Sequence, residues 1–208
     1  MTLIMYIVKH DLRILLRGSF SVRVTREQAA ANRGRIVDVA GTLFRQHGFN
    51  GIGVADIMKA AGLTHGGFYG HFPSKEELAA EACAAVLMEP AWAERLAGST
   101  HPTLKAVVQK YLTPRHRNDP AHGCLLAALG SDVARQPRSV RRAFTEGVKA
   151  RVDALRALLP GRSDAARRKK AIATLAGIVG ALILSRAVDD PTLSEEILDA
   201  ATATFGHV

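Results

Sequence analysis

Cysteine is almost missing from this chain. Only Cys83 and Cys124 occur among 208 residues, too few for a metal-holding cluster or a secreted disulfide framework, and the scarcity fits a reducing, cytoplasmic setting. Long apolar runs are wanting too: the best candidate, Ala171 to Leu184, falls short of a bilayer and carries Gly177 and Gly180, so neither a transmembrane segment nor a membrane partner is expected. Strand alternation, internal repeats and low-complexity tracts are absent. No glycine loop can cradle phosphate, and no Ser/His/Asp or Cys/His grouping has a recognisable context; an enzyme is not expected, and no catalytic residue, metal or cofactor is assigned. Acidic residues are in the minority, 19 against 28 lysines and arginines, for a net charge of +9.

That surplus is unevenly placed. Residues 1–75 hold ten basic residues against four acidic ones, so six of the nine excess charges fall in about a third of the chain. A polyanionic partner would explain this, and solubility alone would explain the total but not its placement. The remainder is near-neutral and 48% of the whole chain is hydrophobic, enough for a small basic domain followed by a larger apolar one.

Within the basic third, Val54, Ile57, Met58 and Ala61 recur at helical spacing, Gly62 supplies a positive-φ stop, and Thr64 is placed to cap a second short helix. From Thr64 to Phe72 the large apolar side chains are Phe68 and Phe72, four apart and on one face. Ser74 with Glu77 forms a capping box that opens a further helix toward Ala97, broken near Glu89 by Pro90. Two short helices joined at a glycine turn are the layout of a helix-turn-helix DNA reader. An earlier helix, about Thr25 to His47, carries Ile36, Ala40, Leu43 and Phe44 on its packing face. Its Arg33 and Arg35 either reach DNA phosphate or form a solvated basic face.

Over roughly residues 33–80 the chain resembles the TetR family of transcriptional regulators. The carrying residues are Leu43-Phe44, Gly48-Phe49, Asp56-Ile57, Ala60-Ala61-Gly62-Leu63-Thr64, Gly66, Tyr69, His71-Phe72 and Ser74-Lys75-Glu76. Gly53 departs from the pattern, because the family often places there a threonine that caps and touches phosphate. The resemblance implies an all-α protein: a helix-turn-helix DNA-binding domain over 22–73, then a helical effector-binding and dimerisation domain over 74–208. It also implies that His65, Gly66, Gly67, Tyr69, His71 and Lys75 face double-stranded DNA, with Gly53 and Val54 near phosphate.

Beyond residue 80 the pattern reads as helices over Pro102–Leu112, Gly123–Arg135, Ser139–Leu159, Ser163–Val188 and Leu193–Phe205, the last opened by a capping box of Thr192 with Glu195, and a polar loop over 113–122. Ile172, Leu175, Ala176, Val179, Ile183 and Ala187 form an apolar stripe beside Gly177, Gly180 and Ala181. A lone core helix would carry the same stripe; the family resemblance implies that it pairs two chains as a homodimer. The resemblance also implies a small-molecule cavity among the middle helices, with Met88, Trp92, Tyr111, Cys124, Leu125, Leu129 and Phe144 as candidate lining, each equally readable as plain core. Cys124 opens a run that looks like a segment of thiol-sensing relatives, or is simply a small hydrophobe.

The expected function is a dimeric regulator, a repressor in the first instance, released from a palindromic operator by an effector. The alternatives are a Cys124-based electrophile or oxidant sensor and an architectural DNA-binding protein without effector. Residues 1–21 stand apart: the apolar start Met1–Val8 is followed by Lys9, Asp11, Arg13 and Arg17, without a cleavage site, so it does not read as a signal peptide. It is either translated from a mis-assigned start or an arm whose Arg13, Arg17 and Arg23 meet phosphate.

Overall fold

Capping side chains open six of the described helices, at Thr25, Ser74, Thr103, Thr113, Ser163 and Asp190. In a computed structural model that describes residues 25–161 and 163–207, all regular elements among the described residues are helical. The expectations for residues 1–21, and for Arg23, lie outside them. Helix α1 spans Arg26–His47; in its opening turn the Thr25 hydroxyl accepts from the Gln28 amide at 3.1 Å. From Asn32 onward the chain forms one unit.

Helix α2 is Val54–Ala60, followed by a turn at Gly62 whose φ of +71° needs a residue without a Cβ. A six-residue 3₁₀ helix, His65–Gly70, comes next. Then follow α3 (Lys75–Leu87), α4 (Trp92–Ala97), α5 (Leu104–Tyr111), α6 (Pro114–Asn118), α7 (Leu125–Val133), α8 (Arg138–Ala157), α9 (Asp164–Ala187) and α10 (Pro191–Phe205). The N-cap at Ser74 forms, its hydroxyl accepting from the Glu77 amide at 3.2 Å, which is one half of the expected capping box.

Three local expectations need correction. Thr64 occupies the cap position but its side chain makes no capping bond, and the segment it opens is 3₁₀ rather than α because glycines 66, 67 and 70 lower helix propensity. The loop expected over 113–122 contains α6, where Thr113 accepts from the His116 amide and Pro114 fills the first helical position, which tolerates it. The last helix is capped by Asp190, not Thr192; the Asp190 carboxylate accepts from the Thr192 and Leu193 amides, and Pro191 again sits first.

Helices α3 and α8 make the closest pairing of the body. Gly147 of α8 permits it, because a Cβ there would lie 2.3 Å from the Cβ of Leu87 on α3. Helices α9 and α10 pack together and against α8 and α5, with Phe205 lying where a Cβ on Gly177 would be, 2.0 Å from its ring. One continuous core joins Ile36, Phe44, Ile57 and Phe68 of the N-terminal helices to Leu87, Leu125, Leu155 and Ile178. Against expectation, α9 is long and apolar enough to cross a bilayer by length and composition, with a mean hydropathy of 1.5 over its best window. Glycines do little to lower that average, and the helix runs beyond Leu184 to Ala187. In the fold its Ala171, Thr174, Leu175, Ile178 and Leu182 are buried against neighbouring helices.

Candidate nucleic-acid interface and effector cleft

The 3₁₀ helix owes its place to two rings. Phe68 and Phe72 are fully buried and stacked with centroids 5.9 Å apart, an anchorage that offsets the low helix propensity of three glycines in six residues. Tyr69, edge-on to Phe68 at 5.2 Å, is turned outward and 70% exposed. His65 and Gly66 are exposed with it, Gly67 and His71 half-exposed, and Lys75 begins α3 at the same end. Gly53 is exposed at the N-terminus of α2 and Val54 half-buried behind it. Thus one side of the reading helix is core and the other presents histidine, tyrosine and bare backbone.

Arg33 differs from the exposed basic face expected of it. Its guanidinium pairs with Glu81 of α3 through two hydrogen bonds, one of 2.6 Å, and lies over the Phe72 ring at 4.5 Å. Arg35 leans on the carbonyl of Ala61 at 3.4 Å. Arg33 therefore ties α1 to α3 and to the Phe72 ring, while Arg35 is exposed on α1.

A cleft of about 790 Å³ lies between α1 and the middle helices. Of the proposed lining, Trp92, Tyr111 and Cys124 face it. The others do not: Met88 is the C-cap of α3 and 51% exposed, Leu125 and Leu129 are interior core, and Phe144 packs half-buried near Gly130. For Leu125 and Leu129 the plain-core reading is the one that holds. Sequence reading also missed Arg45 of α1 and Arg151 of α8, which enter the cleft from far apart in the chain. A signal existed: Val140, Phe144, Gly147, Arg151 and Leu155 share one face of α8, so an arginine interrupts its buried stripe.

The chemistry around Cys124 is fixed by neighbours from several helices. Its amide donates to Nε2 of His116 at 2.9 Å, while Nδ1 of that ring bonds the Tyr111 carbonyl at 2.7 Å. The ring is thereby held as the neutral tautomer with its proton on Nδ1. Burial, the largest influence, pushes the His116 pKa below its ordinary value. Cys124 is half-buried and lies within electrostatic reach of Arg45, Arg151 and Arg186. Cys83 is interior, and burial pushes its thiol up to about 12. Among the described residues no cluster of histidine, cysteine or carboxylates could hold a metal ion.

Of the α9 stripe expected to pair two chains, Ile172, Ala176, Ile183 and Ala187 are exposed and Val179 and Gly180 half-exposed. Leu175 does not belong with them, because the helical turn carries it into the chain's own core, and Gly177 and Ala181 serve the packing of α9 within the chain.

Residues 36–82 match the family model described as bacterial regulatory proteins, tetR family. The segment is similar to the HTH-type transcriptional regulator AcrR of Shigella flexneri, 42% identical over 59 residues, which are 28% of this chain and 27% of that protein. It is also similar to the HTH-type transcriptional repressor KstR2 of Rhodococcus jostii, 40% identical over 52 residues, 25% of this chain and 26% of that one. These alignments span about a quarter of the relatives' length. The fold extends the likeness: a TetR transcriptional regulator from Chloroflexus aurantiacus superposes with a TM-score of 0.68 at 21% identity, over 87% of this chain and 97% of that one. Residues 36–82 are thus a DNA-binding module of the tetR family of bacterial regulatory proteins, and the helical body that follows shares the fold of solved tetR-family regulators.

Proposed function

We propose that this protein is a cytoplasmic, dimeric transcriptional repressor that leaves a palindromic operator when a small molecule occupies the cleft. The observation that carries the DNA reading is the division of the 3₁₀ helix, with Phe68 and Phe72 buried and His65, Gly66 and Tyr69 turned outward. In this reading Tyr69 and Lys75 hold phosphate, His65 and the backbone at Gly66 and Gly67 lie nearest base edges, His71 supports them, and Gly53 and Val54 bring an amide to phosphate. Arg33 positions the module from its half-exposed site, and Arg35, exposed on α1, adds a phosphate contact.

Pairing rests on the apolar side chains left outside: Ile172 is 48%, Ile183 40% and Leu184 56% exposed. Such side chains clustered on the last long helix favour burial against a second copy, and two readers are needed to span successive major grooves. For release, the cleft is lined by Asp38, Thr42 and Arg45 of α1 as well as by the body, so an occupant touches the DNA module itself. A ligand that binds one arrangement of α1 better than the other shifts DNA affinity, and the coupling is reciprocal. The test is selection of bound sequences from random DNA followed by footprinting. Enrichment of a two-fold symmetric site supports the reading, and retention of random DNA without enrichment sinks it.

A further inference from the structure

The cleft contains positive charge that lacks a counter-ion. Arg151 is only 6% exposed. Its guanidinium donates to the Val86 carbonyl at 3.1 Å and lies 4.7 Å from the Trp92 ring, with no carboxylate of the described residues within ion-pairing distance. Arg45 donates to the Ala121 carbonyl and forms no direct ion pair among the described residues, with Asp119 only within electrostatic reach. Two of the acids at the cleft are already engaged, Glu89 by Arg95 and Asp119 by His122, and the third, Asp38, is exposed. Beside them, the hydroxyl of Tyr111, on a residue 2% exposed, has no hydrogen-bond partner; Cys124 lies next to it without meeting hydrogen-bond geometry. A buried guanidinium without an anion and a buried hydroxyl without an acceptor are both costly, and one planar anion would satisfy both.

We propose that the cleft is a carboxylate site: Arg151 and the Tyr111 hydroxyl, with Arg45 at the α1 side, hold the carboxylate of a small organic acid whose apolar body lies against Val86, Trp92 and Leu96. This rests on the reading of the cleft as the effector site and names the effector's class. The guanidinium fork matches a carboxylate bidentately, and the apolar wall gives purchase to a hydrocarbon or aromatic body that an inorganic anion lacks. Burial raises the Tyr111 hydroxyl pKa well above its ordinary value, so it stays protonated and donates.

The probes are benzoate, hexanoate and octanoate, each against its neutral amide, with inorganic phosphate as a further arm, read by thermal shift and titration calorimetry on the full chain without DNA. At least one carboxylate binds more than about tenfold tighter than its amide and than phosphate, and Tyr111→Phe weakens that carboxylate by about tenfold while its amide is unaffected, as expected for a lost hydrogen bond to a charged group. Arg151→Gln abolishes the preference; since it also removes the contacts to Val86 and Trp92, Tyr111→Phe serves as the variant that leaves those contacts in place. Equal binding of carboxylates and amides, a phosphate shift matching the best carboxylate, or no loss in Tyr111→Phe each overturns the proposal. So does failure of every carboxylate accompanied by rapid alkylation of Cys124 at neutral pH, which would make the thiolate the counter-ion. DNA affinity is measured separately. A carboxylate that binds without changing it contradicts the effector reading and leaves the site standing.

Discussion

The guanidinium of Arg33 lies over the ring of Phe72 at 4.5 Å while its nitrogens are held by Glu81. One side chain thus joins α1, the end of the reading helix and α3. Arg33→Ala and Glu81→Ala should each cost about 1 kcal/mol, since a half-exposed ion pair and cation–π contact are individually modest. A double-mutant cycle by chemical denaturation should show coupling. Strictly additive losses would mean that the pairing contributes nothing.

The close approach of α3 and α8 gives a sharper test. Gly147→Ala puts a methyl 2.3 Å from the Cβ of Leu87, at the base of a helix side chain that cannot swing away. The loss should be about 1–3 kcal/mol or more, despite alanine's better helix propensity. Gly177→Ala meets the ring of Phe205, half-buried at the end of α10 and able to turn, and should cost less. Urea unfolding of the two variants would reveal a reversed order if these contacts are misjudged.

Stability should fall with acid because of His116. Its pKa is depressed in the fold, chiefly by burial, with Arg186 adding to the effect and Tyr111 and Asp119 opposing it. The unfolded chain takes up the proton near the ordinary value of about 6.5, the folded chain only below it, so this contribution is present above about pH 6.5 and is lost as pH falls through it. Protonation would also place a proton on the Nε2 that accepts from Cys124. His116→Gln should flatten the decline in melting temperature between about pH 7.5 and 5; an unchanged slope would assign the acid sensitivity elsewhere.

Dimerisation is open to direct disruption. Ile172→Glu with Ile183→Glu changes two exposed positions on α9 and should yield a folded monomer in sedimentation experiments, with weaker operator binding. A variant that remains dimeric would move the interface away from this stripe.

Much of this architecture was legible because local rules and the fold agree. Gly62, the Phe68–Phe72 pair and the Ser74 cap are decided within a few residues of chain, and the sequence pattern found all of them. The polar groups of the cleft escaped notice because they converge from α1, α5 and α8, while of the candidates that do not face it Leu125 and Leu129 are interior, Phe144 is half-buried and Met88 points to solvent. Leu175 was misplaced for a related reason: periodicity shows which residues share a face but not whether that face meets the same chain or another. Asp190 and Thr113 were missed where an Asp-Pro or Thr-Pro pair begins a helix, since proline reads first as a breaker.

Lys75 and the symmetry of the bound DNA test the central claim most directly. Native protein and Lys75→Ala should be titrated, over a range of salt concentrations, onto the site recovered by selection and onto random DNA, with stoichiometry measured alongside. The account requires one dimer on a two-fold symmetric site with half-sites ~34–36 Å apart. It also requires Lys75→Ala to weaken both DNAs alike and to reduce the salt slope by about one. A monomer on an asymmetric site, or a Lys75→Ala loss confined to the selected sequence, would contradict it.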